Sequence, residues 1–169
     1  MVPRKYLILL STTGLVVSVD QLTKNVVTNH FRLGETQPLL QNLLSLTRVH
    51  NSGAAFGLLA TLPPNLREPF FFLVPAFVLA IIFFVIYRLR EHQAMSAQAL
   101  ALIVGGAFGN LADRIRLGFV IDFVDVHWNN GWHFPAFNVA DAAITFGVAL
   151  LLLGMLQEKE NEGPDQVPA

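Results

Sequence analysis

Residues Ala136–Leu156, AFNVADAAITFGVALLLLGML, make an apolar run of 21 residues with one ionisable side chain, Asp141. A bilayer's hydrocarbon core takes about 20 such residues as a helix, so the run predicts a membrane span. An ionised carboxylate there costs roughly 2.5–3.5 kcal/mol at mid-membrane, and nothing basic in the run offsets it. A membrane helix gains nothing from an unpaired acid, so Asp141 calls for a partner. A second acid, Asp122, lies in another apolar stretch, Phe119-Val120-Ile121-Asp122-Phe123-Val124. Two carboxyls in apolar surroundings point to chemistry that shares a proton.

Outward from that run, the whole chain reads as a membrane protein. Of its 169 residues, 53% are apolar and only 14% charged. Soluble domains carry about 25% charged residues. Mean hydropathy is +0.52. The length suggests one domain, residues 1–156, with a polar acidic tail at 157–169 that is expected to be disordered. A net charge of −1 argues against a nucleic-acid partner, which needs a basic face. With no Cys, disulfides, thiolate zinc sites and cysteine nucleophiles are excluded.

Four segments are long enough to span: Tyr6–Val27, Phe70–Tyr87, Ala94–Ala112 and Ala136–Leu156. Pro75 falls in the second, where a membrane helix tolerates it. Arg4 and Lys5 before the apolar Tyr6–Val19 look like the start of a secretory signal. The cleavage pattern is weak and Asp20 and Lys24 follow at once, so an uncleaved first span is expected. Four spans put both termini on one side. Arg4, Lys5, Arg88 and Arg90 mark that side as cytoplasmic by the positive-inside rule. The opposite loops also hold Lys24, Arg32, Arg48, Arg67, Arg114 and Arg116, but at lower density over more residues.

Two substantial loops lie on that opposite face. In the first, Leu44–Val49 alternates like a strand. Asn51-Ser52-Gly53 and Pro63-Pro64-Asn65 read as turns, with a short helix expected after the second. The second loop, about Arg114 to Pro135, is rich in aromatics, among them Trp128, Trp132 and Phe134, which suit a membrane–water interface. His127 and His133 read as interfacial loop residues. No His-Glu-x-x-His pattern is present and no metal site is expected.

Helical spacing gathers the remaining polar residues. Asn138, Asp141 and Thr145 form one stripe of the fourth helix. Gly106, Asn110 and Asp113 form another on the third, with Arg114 one turn from Asn110. Gly105-x3-Gly109 is a small-residue packing surface. Asp20 and Lys24 are an i, i+4 pair best read as structural. All of these sit toward the same membrane face as Asp122, which is the case for a single site. Spacing alone does not choose between Asp122 and Asp125 as the partner of Asp141.

A carboxyl pair holds one proton, because both members cannot easily ionise side by side. The ionised member takes a proton from water, and the protonated member polarises a carbonyl and later assists the leaving amine. That is peptide hydrolysis without a thiol, a metal or a covalent intermediate.

Five blocks resemble the lipoprotein signal peptidase (signal peptidase II) family of bacterial membrane aspartyl proteases. They are Asp20–Lys24, Asn51–Gly57, Gly105–Arg114, Val120–Phe123 and Phe134–Asp141, in the family's order. The resemblance implies a four-span, all-α membrane protein with a small extracytoplasmic β-cradle and short helix. It implies Asp122 and Asp141 as the catalytic pair, choosing Asp122 over Asp125. Asn51, Asn110, Arg114 and Asn138 match residues that bind substrate or support the site, and Asp20 and Lys24 a structural pair. It further implies cleavage of prolipoproteins before a diacylglyceryl-modified cysteine, in the bacterial inner membrane, with no cofactor and with inhibition by globomycin-type peptides.

Other function classes fit less well. A proton-coupled carrier would also hold intramembrane acids, but these acids cluster at one face and no inverted repeat is evident. A structural adaptor leaves Asp141 without a role. Neither a Gly-x-Ser-x-Gly elbow nor a zinc motif supports another protease class.

Overall fold

The computed structural model describes residues 2–53, 63–129 and 131–161, with backbone alone at 64–68 and 157–161. Four helices form where the apolar runs lie: α1 Arg4–His30, α2 Pro64–Arg88, α3 Ala94–Leu117 and α4 Val139–Asn161. Each contains a segment long and apolar enough to cross a membrane. The stretch after Pro63 does not make a separate short helix among the described residues. Pro63 caps α2 and Pro64 opens it, where proline's fixed φ suits the first helical position. The helix then runs on through Pro69 and Pro75. At the other end of the chain α4 continues through Asn161, past the apolar run.

Central in the bundle is α3, which packs against α1, α2 and α4. Its glycines show why. A Cβ at Gly105 would meet Val16 Cβ of α1 at 2.7 Å, and one at Gly106 would collide with the Ala140 carbonyl of α4. Small residues here let backbones approach, which is how helices associate in lipid. Leu79, Ile82 and Ile86 of α2 complete the core against Leu100 and Val104. At one end Lys5 Nζ donates to the carbonyl oxygens of Tyr87 (2.8 Å) and Leu89 (2.7 Å), gathering Lys5 with the α2–α3 connection.

The connections at the other end fold into a four-stranded antiparallel sheet in the order β1-β2-β3-β4. The strands are Thr36–Leu40, Leu44–Asn51, Val120–Trp128 and Trp132–His133. β2 is the strand expected at Leu44–Val49, extended by two residues to Asn51. α3 stops at Gly118, whose φ of 81° is left-handed and whose N–H closes on the Arg114 carbonyl at 3.0 Å. That turn sends the chain directly into β3.

Two expectations need correction. His127 and His133 are strand residues, not loop residues. His127 is buried, with Nε2 3.0 Å from Ser45 Oγ, and His133 pairs with Asp125 at 3.0 Å.

Candidate active site

Asp141 is in the first turn of α4, not deep within the span. Its Oδ2 accepts from the Asn138 N–H at 3.2 Å, and Asn138 Oδ1 accepts from the Asp141 N–H at 2.9 Å. This is a reciprocal capping box, which satisfies N–H groups that a helix start leaves unpaired. The acid is therefore not unpaired: Asp141 has partners, as the sequence called for, and it helps to start α4.

Its other oxygen, Oδ1, accepts from Asn110 Nδ2 at 2.7 Å. Asn110 Oδ1 in turn accepts from Lys24 Nζ (2.9 Å) and Asn138 Nδ2 (3.1 Å). Asn138 Nδ2 makes its shortest contact, 2.7 Å, with Asp122 Oδ1. Asn51 Nδ2 reaches Asp122 Oδ2 at 2.9 Å. Asp122 and Asp141 are thus joined through two amides, one from α3 and one from the cap of α4.

Asn51 also accepts from the Gly53 N–H at 3.0 Å, so the expected turn at Asn51-Ser52-Gly53 is present and its side chain works twice. The rest of that block, Ala54–Gly57, lies outside the described residues.

Asp122 and Asp141 both border a cavity of about 780 Å³ whose wall also includes Asn51, Asn110 and Arg114. Burial pushes the Asp122 carboxyl up to about 6, helped by the negative charge of Asp141. Hydrogen bonds from Asn51 and Asn138 and the charge of Lys24 pull the other way. Asp125 does not border the cavity and is engaged with His133.

The group expected at the outer end of α3 separates into three tasks. Asn110 serves Asp141. Arg114 donates to the Gly53 carbonyl at 3.2 Å and lies 4.9 Å over the Phe71 ring. Asp113 turns away, to Lys24 at 2.9 Å, Gln21 at 2.9 Å and the Ile121 N–H at 3.1 Å. The Asp20–Lys24 pair is present at 2.9 Å, with Asp113 as a third member, and all three are buried. Asp20 also accepts from the Ala140 N–H at 3.0 Å, and the missing side chain at Gly109 leaves room for its carboxylate.

Sequence reasoning missed His50, which borders the cavity beside Asn51. It stacks on Phe119 at 3.8 Å, and burial lowers its pKa. Its place next to Asn51 on β2 was the available signal.

The family model for Signal peptidase (SPase) II matches residues 12–157. The chain is 47% identical over 146 residues to a lipoprotein signal peptidase of Geobacter sulfurreducens, covering 86% of this chain and 89% of that one. It is 43% identical over 148 residues to one of Pseudomonas syringae pv. tomato, covering 88% and 85%. A bacterial membrane enzyme solved by the in meso method superposes with a TM-score of 0.81 at 28% identity, covering 95% of this chain and 94% of that one. With matches of this reach, and with four helices able to cross a bilayer, the chain belongs to the signal peptidase II family, the multi-pass membrane peptidases that process lipoproteins.

Proposed function

We propose that Asp122 and Asp141 are an aspartyl peptidase pair that removes the signal peptide from prolipoproteins, cutting before a diacylglyceryl-modified cysteine. The observation that carries this reading is the double amide link. Asn110 donates to Asp141, Asn138 donates to Asp122, and both carboxyls face one cavity.

In the reaction one carboxylate takes a proton from a water held between the pair. The resulting hydroxide adds to the scissile carbonyl carbon while the protonated carboxyl gives its proton to the carbonyl oxygen. The tetrahedral diol then collapses. Its C–N bond breaks, the amine takes the proton from the first carboxyl, and the second recovers one from the diol. The pair ends as it began, with one proton. A carboxyl raised to about 6 by burial suits this work, because it exchanges a proton near neutral pH. Asn51, Asn110 and Asn138 hold the two carboxyls, and Arg114 supplies a cation in the wall for substrate carbonyls. No metal or cofactor enters the mechanism.

Phe134, Phe137 and Phe146 on the cavity wall suit the acyl chains of a lipidated cysteine. A globomycin-type cyclic peptide would compete for the same space. Arg4, Lys5, Arg88 and Arg90 gather at the end opposite the cavity. By the positive-inside rule that end and both termini are cytoplasmic, and the site faces the outer side of the bacterial inner membrane.

The test is cleavage of a synthetic diacylglyceryl-modified prolipoprotein by the reconstituted protein. Asp122→Asn and Asp141→Asn are each expected to abolish cleavage while the protein still inserts. Turnover by Asp141→Asn at the wild-type rate would remove the pair from the mechanism. Asp141-dependent proton uptake into liposomes without proteolysis would favour a carrier instead.

A further inference from the structure

The end of β2 that carries Asn51 has a neighbouring strand on one side only. β1 pairs with β2 from Leu44 to Thr47. The chain before β1 reaches as far as Arg48, through the Gly34 N–H on the Arg48 carbonyl at 2.8 Å and the Arg48 N–H on the Glu35 carbonyl at 3.2 Å. Among the described residues, Val49, His50 and Asn51 pair with β3 alone, opposite Asp122, Ile121 and Val120. A strand end with few contacts opens readily. Yet Asn51, the last residue of the strand, must stay in place to donate to Asp122 Oδ2 at 2.9 Å.

Side chains alternate along a strand, and antiparallel partners share a face. Val49 and Asn51 therefore share the face of Asp122, while His50 turns to the other face with Ile121. Phe119, two residues before Ile121, meets it there. The two rings stack with centroids 3.8 Å apart and planes 18° from parallel. Phe119 follows Gly118, the residue that ends α3 and turns the chain into β3. The stack thus joins the residue before Asn51 to the residue before Val120, and Asn51 and Val120 are themselves partners.

What the imidazole lacks narrows what it does. His50 Nε2 is buried without a hydrogen-bond partner. A buried polar atom left unpaired is unfavourable, so the ring is not kept for that nitrogen. Burial and the charge of Arg48 hold its pKa below the ordinary 6.5, which leaves it uncharged at neutral pH. The property that remains is a flat ring face, and aromatic pairs are favourable beyond the area they bury.

We propose that His50 is a positioning residue: its ring, stacked on Phe119, clamps the end of β2 to the start of β3 and so holds Asn51 against Asp122. It acts through Asn51 and not on the reacting atoms. The inference rests on the reading of Asp122 as one of the catalytic pair. It adds a side chain whose part can be played by another flat ring of similar size.

The test is kcat, KM and the alkaline limb of kcat/KM for the reconstituted full chain on a lipidated prolipoprotein. His50→Ala is expected to lower kcat by roughly 2- to 10-fold, the rate equivalent of one aromatic pair, with KM unchanged. Its alkaline limb is expected to move to higher pH, as for Asn51→Ala, because Asp122 loses the same donor. The other charges that act on Asp122, those of Lys24, Arg114 and Asp141, are the same in these variants. His50→Phe, which has a ring and no nitrogen, is expected to restore both kcat and the limb. Phe119→Leu is expected to reproduce His50→Ala, and it gives the same readout should His50→Ala fail to fold. In an Asn51→Ala background, His50→Ala is expected to change nothing further. A His50→Phe protein as impaired as His50→Ala would show that the nitrogens act, and would overturn the clamp. Unchanged kcat in His50→Ala, a fall in kcat with an unmoved limb, or a full His50→Ala effect when Asn51 is already alanine would each overturn it too. Asp122→Asn in the same assay separates the two readings. Wild-type turnover there would sink the aspartate pair and the clamp with it; abolished turnover beside a silent His50→Ala would sink the clamp alone.

Discussion

Lys24 donates a 2.9 Å hydrogen bond to the side-chain oxygen of Asn110, and this contact determines how Asn110 meets Asp141. An ammonium can only donate, so the amide oxygen must face it. The amide nitrogen is then left to face Asp141, at 2.7 Å. A residue of the buried ion cluster thereby orients a residue of the cavity wall.

Removing that ammonium leaves Asp20 and Asp113 buried without their cation. Breaking a buried ion pair from one side costs about 3–5 kcal/mol. Lys24→Met is expected to lose stability on that scale, read by thermal or denaturant unfolding in detergent. Adding Asp113→Asn to Lys24→Met is expected to recover part of the loss. Strict additivity of the two changes would show that they do not share the cluster.

Asn110→Ala removes a donor to a carboxylate while leaving the ion cluster its three charges. A hydrogen bond to a charged group contributes about 1.5–3 kcal/mol, which corresponds to roughly 10- to 100-fold in rate if it is needed in the reaction. The expected outcome is a fall of that size in kcat on a lipidated prolipoprotein. Unchanged kcat would exclude a role for Asn110 in holding Asp141.

Asp122 gives a pH dependence with a definite sign. Its carboxyl titrates near 6, above the ordinary 3.8, so the folded protein favours the protonated form. Its contribution to stability is present below 3.8 and lost as pH rises through about 6. If the pair must hold one proton, kcat/KM falls as pH climbs past about 6. Asn51 donates to the ionised form and holds the value down. Asn51→Ala is therefore expected to move the alkaline limb to higher pH; a limb that moved down would contradict the assignment.

Helix spacing makes a further prediction. A Cβ at Gly109 would stand 2.6 Å from Asp20 Oδ2, whereas one at Gly14 meets nothing within 4 Å. Gly109→Ala is expected to cost about 1–3 kcal/mol through overpacking. Gly14→Ala is expected to be tolerated in the same unfolding assay.

Asp125 is the control for Asp122. It lies three residues further along β3 and is bound to His133, away from the cavity. Asp125→Asn is expected to keep most cleavage activity in the lipidated prolipoprotein assay.

The four spans were legible because apolar runs of bilayer length seldom occur in a soluble domain of this size. Strand β2 was legible from its alternation, and the Asp20–Lys24 pair from its spacing. What sequence reasoning could not supply was orientation. Asn110, Asp113 and Arg114 fall within five residues, yet one faces Asp141, one the ion cluster and one Gly53 and Phe71. Helical spacing groups such residues by face, but which neighbour each one meets depends on α1, β2 and α4 arriving from distant parts of the chain. The capping role of Asp141 was legible in principle, since Asn138-x-x-Asp141 has the form of a capping box. It was obscured because the apolar run begins before the helix does. His127 was misplaced for a similar reason: its partner Ser45 is 82 residues away.

The bond from Asp20 to the Ala140 N–H joins residues 120 apart in sequence. It has a consequence for the order in which the protein is made. A chain inserted only through its third helix has α1, α3 and the buried ion cluster's three charges, but Asp122 is still without Asp141, Asn138 and one wall of the cavity. On the proposed pairing of Asp122 with Asp141, the nascent protein has no complete site until the fourth helix enters.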